Sequence, residues 1–171
     1  TADATVNNLA SFTVKAGASA APTTGVATAN AGIAGAPAIW QDYTAAGDLN
    51  VVLNNSGSLA VGTDASATSV DAAAVANSLV LVPGIAQVGV EDNVSSSTAS
   101  GDASVAINNT AGTLAVTSSA AANGLTAGTA NSVMNQGIYQ SATNNGVKSA
   151  TFTPAAAAAL TNAKGATVTV G

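Results

Sequence analysis

A fifteen-residue segment that occurs twice constrains this chain more than any other feature. Gly47-Asp48-Leu49-Asn50-Val51-Val52-Leu53-Asn54-Asn55-Ser56-Gly57-Ser58-Leu59-Ala60-Val61 matches Gly101-Asp102-Ala103-Ser104-Val105-Ala106-Ile107-Asn108-Asn109-Thr110-Ala111-Gly112-Thr113-Leu114-Ala115-Val116, with one residue inserted in the second turn. Each copy reads as a β-hairpin, because Asn and Gly in the Asn-Asn-Ser-Gly and Asn-Asn-Thr-Ala-Gly turns accept the positive φ that hairpin loops demand. Asn144-Asn145-Gly146 reads as a third such turn. Two copies are too few for a solenoid and their spacing of about 54 residues is long for one, so two related halves of a sandwich are expected.

The rest of the chain is patterned for strands. Val6, Asn8, Ala10, Phe12 and Val14 alternate with Asn7, Ser11 and Thr13, with Leu9 the exception, a period of two that puts one face on a core. Leu49 to Leu53, Ser58 to Val61, Ser104 to Ile107, Thr113 to Thr117, Ala150 to Phe152 and Ala166 to Val170 share the Val, Thr and Ile content of strands. Ser78 to Val82 and Ala86 to Val90 flank a Pro83-Gly84 turn and read as strands buried on both faces. Helix is expected only at Asp71 to Asn77 and at Pro154 to Ala163, the latter with Thr153 as N-cap, Pro154 at the first position and Gly165 beyond the end. Ala20 to Gly35 reads as a loop or a weakly patterned strand. The expected fold is all-β, a jelly-roll-like antiparallel β-sandwich with one or two short helices. Residues 1–14 would form an N-terminal donor strand and 15–171 a single sandwich domain.

Composition restricts the chemistry. The 171 residues include no His, Cys or Arg, three Lys, and one Glu among eight acidic groups; only 6% are charged, against about a quarter in ordinary soluble domains. A Ser-His-Asp triad, a Cys-His pair and the usual zinc sites cannot be assembled. Glu91 and Asp92 are adjacent, so a strand would point them to opposite faces rather than pair them across a glycosidic bond. No enzyme is expected. The net charge of −5 without a basic cluster argues against nucleic acid as a partner, and no apolar run reaches the length of a membrane span. The opening Thr1-Ala2-Asp3-Ala4, without Met, is the start expected of an exported chain after signal cleavage.

Few residues remain as candidates for a site. No cofactor is expected; calcium is the one metal that the hard oxygens of Asp42, Asp48, Asp64, Asp71, Glu91, Asp92 and Asp102 could serve, although no spacing resembles a calcium loop. Asp48 and Asp102, each after a Gly, are better read as turn-closing acceptors. Sequons place glycan acceptors at Asn54, Asn93 and Asn108. Trp40 and Tyr43 form either a carbohydrate-stacking platform or, as the favoured reading, a packing or interface anchor.

At Gly47-Asp48 to Leu59, and again at Gly101 to Leu114, the sequence resembles the TasA/camelysin family of biofilm fibre proteins and the related archaeal bundling pilins, in which a Gly-Asp-led strand runs into an Asn-x-Gly-Ser-Leu-like turn. The resemblance implies a jelly-roll-like sandwich whose subunits join into extracellular fibres by donor-strand exchange. Strand edges left without Lys or Pro template further strands, and Ala4 to Val14 has a donor's alternation, with Val6, Asn8, Ala10, Phe12 and Val14 as the interface. The function expected is that of a structural subunit of a cell-surface filament, a head-to-tail homopolymer bundling laterally for adhesion or as biofilm matrix. The alternatives are a monomeric surface-layer or adhesin carbohydrate-binding module, and a virion decoration protein.

Overall fold

The computed structural model describes residues 1–92, 101–145 and 155–171. Among them are fourteen strands and no helix. β1 (Ala2–Asn8), β2 (Ser11–Ala20), β3 (Ala27–Ile33) and β4 (Ile39–Ala45) make one coil; β5 (Leu49–Asn55), β6 (Ser58–Ser69), β7 (Ala74–Val80) and β8 (Ile85–Glu91) make the next. β9 (Ala103–Asn109), β10 (Thr113–Gly124), β11 (Gly128–Met134) and β12 (Ile138–Asn144) make a third, and β13 (Ala156–Asn162) and β14 (Thr167–Val170) half of a fourth.

Each strand pairs with its counterpart one coil away. Sheet A runs β1-β5-β9-β13, sheet B β2-β6-β10-β14, sheet C β3-β7-β11 and sheet D β4-β8-β12, and every pairing is parallel. The molecule is a parallel β-solenoid, four strands deep in sheets A and B and three deep in C and D. Equivalent residues lie 47, 54 and 53 positions apart down the stack.

This overturns the antiparallel jelly-roll sandwich. The repeat is the coil itself: Leu49 pairs with Ala103 and Leu53 with Ile107. Within a copy, the two expected hairpin arms do not pair; β5 and β6 enter different sheets, and Asn54-Asn55-Ser56-Gly57 turns the corner between them. Gly57 serves close approach rather than positive φ, for a Cβ there would stand 2.0 Å from the Ala10 carbonyl oxygen of the coil before. In the longer corner Gly112 has φ 70, and its missing Cβ leaves room for the Gly57 carbonyl. Both expected helices are strands as well: Ala74–Val80 is β7 and Ala156–Asn162 is β13. Alanine is the best helix former, but propensity is a weak prior that tertiary context overrides; here pairing with Ala103–Asn109 for β13, and with β3 and β11 for β7, decides against helix. Ala4 to Val14 divides at Leu9 and Ala10 into β1 and β2, and Ala20 to Gly35 contains β3. Ala150 to Phe152 lies outside the described residues.

Alternation sends every second side chain inward, but the interior is not uniform. Between sheets A, D and the first half of B lies an aliphatic body of Leu53, Leu59, Val61, Ile85, Ile107, Leu114 and Val116, continued by Leu49, Val51 and Val105. The second half of sheet B faces sheet C through alanines alone: Ala65 and Ala67 against Ala27, Ala29, Ala31, Ala74 and Ala76, flanked by Ala18, Ala20, Ala120 and Ala122. A hydroxyl seam divides the two. Ser78 donates to Thr63 at 2.7 Å, Thr63 to Ser118 at 3.2 Å, and Ser132 to Ser118 at 2.9 Å, so buried polar side chains are satisfied where the section narrows.

Candidate functional site

Three interior or edge features hold the coils in register, and each consists of one residue type repeated down the stack. Asn8 Nδ2 donates to Asn55 Oδ1, Asn55 to Asn109 and Asn109 to Asn162, each at 2.7 Å. Asn55 is fully buried and Asn109 nearly so; a buried amide left unpaired costs about 1–3 kcal/mol, so this ladder selects the register that satisfies it. In sheet D, Gln87 donates to Gln41 Oε1 and Gln140 to Gln87 Oε1, both at 2.9 Å, while Gln87 and Gln140 also reach the carbonyls of Ala106 and Ala159 on the strands of sheet A. Asp48 accepts the Asp102 N–H at 3.1 Å, and Asp102 accepts the Ala155 N–H at 3.0 Å. These aspartates close the step between coils rather than a turn of their own.

The acidic residues are dispersed, not gathered. The Asp102 N–H, then the Thr1 hydroxyl, hold the Asp48 carboxyl below the usual carboxylate range. The Ser119 hydroxyl and then Lys15, 3.2 Å away, do the same for Asp64 on the outside of sheet B. Asp71 accepts the Gly25 N–H at 2.8 Å, Asp42 lies on sheet D and Asp92 just past β8. Glu91 is fully buried, and among the described residues neither of its carboxyl oxygens has a hydrogen-bond partner. Among the described residues no three acidic groups approach closely enough to hold a metal ion.

The N-terminal coil presents an open apolar surface. Val6, Asn8 and Phe12 are brought together with Ala38, Ile39, Leu53 and Leu59 around a depression of about 250 Å³. Val6 and Phe12 stay 43% and 49% exposed although they occupy inward rows, because only one coil packs against them. Val14 packs on the aliphatic body. Ala10 sits in the corner, its carbonyl accepting the Ser58 N–H at 2.8 Å.

Trp40 and Tyr43 are not brought together. Three residues apart on β4, they point to opposite faces of sheet D: Tyr43 shares an inward row with Gly89, while Trp40 shares an outward row with Ala86. Asn54 and Asn108 lie near the ends of β5 and β9, where Asn54 donates to Asn7 at 2.8 Å and Asn108 to Asn54 at 2.9 Å; Asn93 lies outside the described residues. Sequence reading missed the glutamine ladder and the hydroxyl seam. Gln41, Gln87 and Gln140 recur at the coil spacing, a signal visible once the repeat is extended beyond its fifteen best-matched residues. Compared with protein-family models, curated proteins and solved structures, the chain matches none.

Proposed function

We propose that the chain is a structural subunit of an extracellular filament in which identical subunits join head to tail through their end coils. The carrying observation is the chemical likeness of the two ends. β13 and β14 place Ala156, Ala158, Leu160 and Asn162, then Val168 and Val170, at the positions where β1 and β2 place Ala2, Ala4, Val6 and Asn8, then Phe12 and Val14. A β13–β14 edge meeting a β1–β2 edge would therefore extend the same backbone ladder, apolar rows and asparagine stack by one more step. Such a contact is heterologous and generates a polymer when it does not close. Ala4 to Val14 contributes the edge it leaves unpaired among the described residues, and its inward row, to this contact while staying paired with β5 and β6, in place of leaving as a detached donor strand. Few surface charges oppose lateral bundling.

Electron microscopy and sedimentation of the purified protein test this reading. The wild type should form filaments, and the double variant Val6→Lys/Phe12→Asp should remain a folded monomer, since both side chains are half-exposed and their replacement leaves the core intact. A wild type that stays monomeric at high concentration, or a double variant that polymerises normally, would overturn it.

A further inference from the structure

The outer face of sheet D carries a paired aromatic feature. Trp40, Ala86 and Tyr139 occupy one row across β4, β8 and β12. Their strand neighbours Ile39, Ile85 and Ile138 pack into the aliphatic body, so the row faces out. Trp40 is 57% exposed and Tyr139 40%, yet Ala86 between them is only 3% exposed; an outward alanine so covered is walled by the two large side chains of its own row. The result is a slot with an alanine floor and an aromatic on each side, two strand spacings or about 9.5 Å apart. The next outward rows are Asp42, Val88 and Ser141, then Thr44, Val90 and Thr143, which set a carboxylate and hydroxyls beside the rings.

We propose that this face binds an uncharged polysaccharide chain laid across the strands, with sugar units about two residues apart stacked on Trp40 and Tyr139. The apolar C–H face of a pyranose suits an aromatic ring, while its hydroxyl edge needs hydrogen-bond partners such as Asp42 and Ser141. The charge pattern selects the class: Asp42 and a net charge of −5 disfavour acidic glycans and nucleic acid. A protein partner fits less well, because two rings among short polar side chains fall far below the roughly 800 Å² per partner of a stable interface. This binding is separate from filament formation and stands whether or not the end coils polymerise.

Affinity electrophoresis and calorimetry against soluble β-glucan, xylan and mannan, with the wild type and the variants Trp40→Ala, Tyr139→Ala and Tyr43→Ala, decide the matter; circular dichroism confirms folding of each. The wild type should bind at least one of these polymers. Trp40→Ala and Tyr139→Ala should each weaken binding tenfold or more, and Tyr43→Ala, on the opposite face, should bind as the wild type does. Val6→Lys/Phe12→Asp should also bind normally, which separates this result from the fate of the filament reading. No binding to any neutral polymer, equal loss in Tyr43→Ala, or a Trp40→Ala variant that loses self-association instead of sugar binding would each overturn the proposal, the last by making the face a protein interface.

Discussion

The aliphatic body and the alanine wing are built from the same coils, yet they keep their sheets apart by different means. In the body, Leu53, Ile85, Ile107 and Leu114 interdigitate across a wide section, and each buried side chain of this size stabilises by about 1.5–3 kcal/mol. In the wing, Ala65, Ala67, Ala74 and Ala76 meet across a gap too thin for anything larger. Each alanine contributes little, so the wing depends on close approach and on the backbone ladders of sheets B and C. The comparison teaches that one strand, β6, serves both regimes: its first half is a body strand, its second a wing strand, and Thr63 marks the change.

The largest effect should come from Leu53→Ala, which removes a buried body side chain and leaves a cavity; a loss of about 2–5 kcal/mol in urea unfolding is expected. Ala76→Leu should cost about 1–3 kcal/mol for the opposite reason, because the wing has no room for the added carbons. If Ala76→Leu unfolds at the wild-type midpoint, the wing is not close-packed and the contrast fails. The smallest change is expected at the boundary: Thr63→Val preserves shape but deprives Ser78 of its acceptor and Ser118 of one of its two donors, a loss of about 1 kcal/mol. A neutral Thr63→Val would reduce the seam to a passive spacer.

Strand positions were legible in the sequence where large aliphatic residues recur at every second position, as at Leu49 to Leu53 and Thr113 to Thr117. Their partners were not. An alternating strand looks alike whether its neighbour is the next strand in sequence or one about 54 residues on, and only the quarter-coil from Gly47 to Val61 keeps enough identity to reveal the spacing. β1 retains of that pattern little beyond Asn7-Asn8, the rung positions paired with Asn54-Asn55. The wing was hidden for another reason: an alanine-rich stretch such as Ala74–Val80 carries a helix former's local preference, and its strand conformation is imposed by the rungs it pairs with on either side. At the candidate site, Val6 and Phe12 were legible as apolar alternants, whereas the partner of Trp40 across the sheet, Tyr139, lies 99 positions away and has no local signature.

The unequal strand counts have a geometric consequence. With strands about 4.8 Å apart, the described part of the molecule is one strand taller on the side of sheets A and B than on the side of C and D. Identical blocks of that shape, stacked face to face, do not build a straight column. Their axis bends toward the shorter side at every joint, and it straightens only where an additional strand fills the step, so curvature seen along a fibre would count the joints left unfilled.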